Sequence, residues 1–320
     1  MFGGLTASGI LGISLAELKK RSKLDKTHVS IIKTEGYSLG NLEGFIENAI
    51  SSVERAEGVV FKKGETVLIK PSLIEARDPL ESVTTHPRVV EGLIYALTER
   101  EVGRIIIAEG SGNEKDIDFL LRKTGFEGMI KESGAEFIDL NYADVIKIDI
   151  KSPLAIKEVF LPKILFQVDK IVSVPKLKTH RWAGVTLGMK NLFGIVPGSI
   201  YGFPKNMLHW AGIPEAIVDL NSAIKIDLSL VDGIMGMEGD GPLEGRPKNL
   251  NLLMAGVDPL AVDATATRIM GFDPLKIPQF IYAYRKGMGK ALEEEIEVVG
   301  VPIESVKTRF EPSGLWKDLL

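Results

Sequence analysis

Short apolar runs alternating with helical stretches constrain this chain more than any other feature. His28-Val29-Ser30-Ile31-Ile32 and Thr66-Val67-Leu68-Ile69 read as buried strands, as do the runs at 104–108 and 170–174. Between the first two, residues 41–53 put Leu42, Phe45, Ile46, Ala49, Ile50 and Val53 on one helical face. A second helix is expected over 88–101, opened by Thr84-Thr85-His86-Pro87, with threonine suited to the cap and proline to the first turn. Helices near 117–124 and 128–134, and strands at 136–139, 145–150 and 158–161, continue the pattern. Strands separated by helices need crossovers, so an α/β fold with a mainly parallel sheet and flanking helices is expected.

Past His209 the spacing predicts a second, smaller α/β unit. It holds a helix over 213–223, a strand at 228–232, a glycine-rich acidic loop over 233–245 and a strand at 249–256. Helices at 261–270 and 278–286 and a strand at 296–301 complete it. The expected division is an extension at 1–27, a larger α/β domain at 28–208 and a smaller one at 209–320. In the extension, cations (Lys19, Lys20, Arg21) follow the apolar run, the reverse of a secretory signal. The run is also too short and glycine-broken to span a bilayer. It is expected to pack on the body or on a neighbouring subunit of a homo-oligomer, in a cytoplasmic protein with no membrane span.

Charge and cysteine remove several function classes. A net charge of −4 leaves no global nucleic-acid footprint. Cysteine is absent, which excludes disulfides, a cysteine nucleophile and any iron–sulfur cluster or zinc site on this chain's own thiolates.

The usable chemistry concentrates between Val174 and Gly198, where Lys176, Lys178, Lys190 and His180 sit among glycines and Thr186. The neighbours are Val, Leu, Phe and Ile rather than other charges, so part of this loop is expected to be enclosed, and an enclosed ammonium wants an anion. In parallel sheets ligands collect at the carboxyl ends of strands, which would bring Lys70, Glu109 and Lys176 together, and Asp232, after a strand and before glycine, is expected near a site for the same reason. The bland alternatives are a solvated lysine, or a structural pair of Lys190 with Glu109, Asp232 or Asp258. No Gly-Lys-Ser/Thr ending marks a Walker loop, and no HExxH helix marks a zinc site. His86 is a binding residue or a plain capping group. His180 and His209 are candidates for a general base or a metal ligand. Glu238, in the acidic loop with Asp240 and Glu244, is a candidate oxygen ligand for a hard cation. Asp258 reads as a helix cap, and Asp263 as a first-turn carboxylate favoured by the helix dipole.

Val174-Pro-Lys-Leu-Lys-Thr-His180 and Gly184-Val-Thr-Leu-Gly-Met-Lys-Asn-Leu-Phe-Gly194 resemble the signature of domain of unknown function 362. So do Ile69-Lys70-Pro71, Thr85-His86-Pro87, Val231-Asp232-Gly233, Glu238-Gly239-Asp240-Gly241-Pro242 and Asp258-Pro259-Leu260-Ala261-Val262-Asp263. Longer relatives there carry a ferredoxin-like iron–sulfur module, which this cysteine-free chain cannot hold. His180, Lys190, Val196-Pro197-Gly198 and His209 also resemble a segment of the nickel-pincer lactate racemases. That resemblance implies Lys190 as cofactor lysine, His209 as nickel ligand and His180 as acid/base residue. Where those racemases place a second catalytic histidine, this chain reads Glu109, Ser111 and Asn113. His86 stands in place of their arginine before a proline.

The expected function is an enzyme binding a small anionic substrate or cofactor in an interdomain cleft. His180, Lys190 and His86 would be catalytic. Lys70, Lys176, Lys178, Lys190, Thr186, Glu109 and Asp232 would bind cofactor, and His209 and Glu238 metal. The cofactor is left open between a metal-containing and a phosphorylated one. The rival class is a non-catalytic accessory or carrier working with a separate ferredoxin-like partner. Nucleic-acid binding through the lysines, with Trp182 and Phe193 stacking on bases, is the weakest reading given the acidic balance.

Overall fold

A computed structural model describes residues 26–317, so the expected extension lies almost wholly outside the described residues. The strands are β1 (Thr27–Lys33), β2 (Thr66–Pro71), β3 (Arg104–Glu109), β4 (Glu136–Asp139), β5 (Val145–Asp149) and β6 (Glu158–Pro162). They continue with β7 (Lys170–Val174), β8 (Lys176–His180), β9 (Gly184–Thr186), β10 (Leu228–Asp240), β11 (Glu244–Gly256) and β12 (Ile296–Gly300). One large sheet runs β12-β1-β11-β10-β7-β2-β3-β4, with β8 paired to β10 and β9 to β8; β5 and β6 form a separate hairpin. Most pairings are parallel, and β11 enters antiparallel to both β1 and β10.

Two apolar layers sandwich this sheet, and the period of two along each strand assigns its residues between them. Val67 and Ile69 of β2 pack with the helices Leu39–Glu57 and Pro87–Glu99, whereas Leu68 faces the opposite cluster. That cluster includes the helices Ile213–Ala223, Pro259–Ile269 and Pro278–Arg285. Strands covered on both faces read as continuous apolar runs, which is why they are recognisable as buried.

The division expected after residue 208 does not separate two sheets. β10 lies parallel to β7 and β1 lies between β11 and β12, so strands from either side of that point share one hydrogen-bonded sheet. The acidic loop expected over 233–245 is instead the far half of a long hairpin. β10 and β11 stay paired from Ser229↔Gly256 to Asp240↔Glu244, with one register shift between Gly233 and Met235. Glycine here serves close approach: a Cβ on Gly241 would overlap the Thr179 carbonyl oxygen. The lysine segment expected as a loop is likewise ordered, as the β8–β9 hairpin followed by a short helix, Gly188–Asn191.

Asp219, fully buried in the helix Ile213–Ala223, fastens the segment before β6. Its carboxylate accepts the backbone N–H groups of Leu154, Ala155 and Ile156 at 2.8–3.1 Å. No helix among the described residues is long and apolar enough to cross a membrane. Replacing Asp219 with alanine strands three donors and should lower unfolding free energy by about 2–4 kcal/mol in urea titrations. Asp219→Asn, which keeps one acceptor oxygen, should lose less; equal stability of all three proteins would contradict this role.

Candidate functional site

A cavity of about 350 Å³ opens beyond the carboxyl ends of β2 and β3. Its floor is an ion pair between residues that end those strands. Lys70 Nζ lies 2.6 Å from Glu109 Oε2 and also donates to the Pro71 carbonyl at 2.7 Å and to Asn191 Oδ1 at 3.0 Å. Glu109 in turn accepts the backbone N–H groups of Leu73 and Gly110. Asn191 closes the cluster by donating to the Lys70 carbonyl and to Ser173 Oγ. Gly194 runs so close over the pair that a Cβ there would overlap Glu109 Oε1 and Lys70 Nζ.

Three further lysines line this cavity, and none has a carboxylate partner among the described residues. Lys178, from β8, is buried and donates to the Val83 carbonyl at 2.7 Å. Lys205 is buried and donates to the carbonyls of Gly110 at 2.6 Å and Phe193 at 3.3 Å. Lys190, half-buried on the helix Gly188–Asn191, rests 3.7 Å from the centre of the Phe193 ring. Burial lowers the proton affinity of all three to about 7. Lys176 adds to this at Lys178, and Lys178 and Lys205 add to it at Lys190; Glu109 offsets part of it.

His180 is buried beside them, and its Nδ1 accepts the backbone N–H groups of Trp182 and Ala183, both at 3.1 Å. Those two donors assign the neutral ring's proton to Nε2. Burial, then the charges of Lys190 and Lys178, hold the ring neutral far below its ordinary range. His180 is therefore a neutral hydrogen-bond donor in this arrangement, with no free basic nitrogen. His209 lines the same cavity, edge-on to Trp182 at 5.4 Å, and burial followed by Lys190 lowers its pKa. Thr186 Oγ1 is buried at the cavity wall without a hydrogen-bond partner among the described residues.

Several expected site residues lie elsewhere. Lys176 and Asp232, both fully buried, pair with each other at 2.7 Å, and the Tyr37 hydroxyl bonds both. His86 joins that cluster: its N–H donates to Asp232 at 2.9 Å and its ring stacks on Tyr37 at 3.8 Å. Its Nδ1 caps the helix Pro87–Glu99 through Arg88 N, because Thr85 is taken up by Ser72 and Val174. This second cluster contributes no wall to the cavity, so Lys176, Asp232 and His86 are not brought together with Lys178, Lys190 and Lys205. Glu238 borders a different hollow, bound to Lys248 at 2.7 Å, and does not meet His209. Among the described residues no three His, Cys, Asp or Glu side chains gather as a metal site.

Lys205, Asn191 and Gly194 were not singled out from the sequence. Asn191 and Gly194 lay within the lysine motif, whereas Lys205 sits at a positive φ of 64° in a stretch resembling a linker. Asp263 does more than complement its own helix: it accepts Gly188 N at 2.8 Å and Met189 N at 2.9 Å, fixing the turn that presents Lys190. Burial raises its pKa to about 7.

Removing one partner of the floor pair leaves a buried charge unmatched. Glu109→Gln should therefore cost about 3–5 kcal/mol in chemical denaturation. Adding Lys70→Met to that variant should recover part of the loss, and strictly additive losses would count against the pairing.

The family model described as Domain of unknown function (DUF362) matches residues 67–268. A thylakoid-associated protein of Synechocystis sp. is 29% identical over 277 residues, spanning 83% of this chain and 81% of that protein. Two solved structures align over 77% of this chain, each with a TM-score of 0.44. One is a Thermotoga maritima protein at 18% identity, and the other is the lactate racemase apoprotein from Thermoanaerobacterium thermosaccharolyticum at 14%. The alignments cover 58% and 57% of those two chains, respectively. With the matched region extending from β2 into the helix Pro259–Ile269 and including the lysines of both clusters, this chain belongs to the DUF362 family.

Proposed function

We propose that this chain is an enzyme that takes a small, multiply charged anion, as substrate or cofactor, into the lysine cavity. One observation carries the reading: the amines of Lys178, Lys190 and Lys205 share a cavity whose buried carboxylate, Glu109, is already committed to Lys70. Protonated together without a counter-charge, these amines repel one another. A phosphate or carboxylate group supplies the missing charge and makes charge-assisted hydrogen bonds. Thr186 Oγ1 and the Nε2–H of His180 offer neutral donors in the same walls, and Phe193 and Trp182 give an apolar side. The ligand class that matches is a compact anion with a small organic body.

The residues do not fit two-base nickel racemisation. His180 has its Nδ1 occupied by two backbone donors, and Glu109, at the position of the second base, is held by Lys70 and two backbone N–H groups. Proton handling therefore falls to amines that titrate near neutrality, and Lys190 is the most accessible of them.

Anion binding requires the charged amines, so affinity should fall as pH rises through about 7. Sulfate and oxalate, whose charge is constant in this range, should bind more tightly at pH 6.5 than at pH 8.5 by calorimetry. Binding should also take up protons. Lys190→Ala or Lys205→Ala should weaken binding by about tenfold to a hundredfold, the value of one or two charged hydrogen bonds. Without ligand the sign reverses. Each lysine has a folded pKa near 7, below its unfolded value of about 10.5, so the unfolded chain holds more protons between these limits. Stability of the free protein should rise with pH across that window as these lysines discharge. Anion affinity that is absent, or unchanged in either variant, would overturn the reading.

A further inference from the structure

Among the four lysines of the cavity, Lys190 differs in having nothing to hold its amine. Lys70 has three acceptors, Lys178 a backbone carbonyl and Lys205 two. Lys190 Nζ makes no hydrogen bond or ion pair with any described residue, rests on the Phe193 face, and lines the cavity. The turn just ahead of it is fixed by Asp263, which holds Gly188 N and Met189 N and leaves the Lys190 amine unpaired. Lys178 and Lys205 are both buried and held in place by those carbonyls, so their amines are less free than that of Lys190 to turn toward an incoming carbonyl carbon.

We propose that Lys190 is a nucleophile that forms an imine with a carbonyl compound bearing an adjacent anionic group, either a 2-oxo acid or a phosphorylated aldehyde. This rests on the anion-binding reading above, because Lys178 and Lys205 would hold the anionic end beside the amine. The amine attacks the carbonyl carbon, forming the C–N bond while the carbonyl oxygen gains a proton. The resulting carbinolamine then breaks its C–O bond and releases water. Both amine hydrogens leave in the exchange, so amine and carbonyl become imine and water with no oxidant or reductant. Protonated, the imine draws electrons from the neighbouring carbon and makes a proton there easier to remove. The Nε2–H of His180 and the unpartnered Thr186 hydroxyl are donors in the same walls for the carbonyl oxygen as it gains charge.

The test is borohydride trapping on the full chain. Protein at pH 7 is mixed with pyruvate in one arm and glycolaldehyde phosphate in the other, then reduced, and intact mass and peptide mapping locate the adduct. At that pH a far larger share of Lys190 carries a free amine than of an ordinary exposed lysine. The expected result is a single adduct at Lys190, suppressed by excess sulfate and lost in Lys190→Arg. The arm that reacts names the carbonyl class. Adducts spread over exposed lysines, or the same adduct yield in Lys190→Arg, would overturn the proposal. Calorimetry with sulfate on the same sample separates the two readings: anion binding without an adduct sinks only the imine, and no binding sinks both.

Discussion

A carboxylate and an ammonium shut away from water join three separate parts of this chain at one point. Lys70 lies at the end of β2, where Pro71 and Leu73 also supply a carbonyl and an N–H, Glu109 ends β3, and Asn191 belongs to the lysine helix. Removed from water, neither charge is tolerable without the other, so these segments must meet before the pair can be buried. Gly194 is required by the same geometry, since it leaves the pair its volume. The parallel sheet brings the two strand ends side by side, and the pair makes that proximity specific.

Above this floor the electrostatics are deliberately incomplete. Burying a cation with only carbonyl dipoles, or an aromatic face, as partner is costly, and this cavity does so three times. The Lys176–Asp232–Tyr37–His86 cluster shows the contrasting arrangement nearby, with charge matched and every partner made. The two clusters share the same strand, β8, yet Lys176 is balanced and Lys178 is not. That difference distinguishes the two clusters more clearly than residue type does.

The buried strands and their order of alternation were legible because each is covered on both faces and so is apolar throughout. The lysine segment was legible as chemistry for a related reason: cations among Val, Leu and Phe stand out. What sequence could not convey was pairing over distance. Lys176 and Lys178 are two positions apart and look equivalent, and only Asp232, brought alongside by β10, distinguishes them. The glycines of this hairpin read as loop because their role depends on a distant strand: Gly236 lets the Leu177 carbonyl come close, and Gly241, in the turn between β10 and β11, does so for that of Thr179. Lys205 was passed over for the same reason: Pro204 and a polar neighbour mark a linker unless the carbonyls of Gly110 and Phe193 are known to be there. His180 was read as a base from its type, whereas its tautomer is set by two backbone amides.

The placement of β1 bears on how the chain comes to be folded at all. It precedes the other described strands in synthesis, yet its hydrogen-bond partners, Lys33 to Ser30 against Leu252 to Ala255 and Thr27 to Ile31 against Ile296 to Gly300, are among the last. While the ribosome is still working, Val29 and Ile31 have an apolar strand with both edges unpaired. The strands β2, β3, β4 and β7 can pair among themselves, whereas β1 gains both of its neighbours only with β11 and β12, so the strand that comes first among those described is among the last to be enclosed.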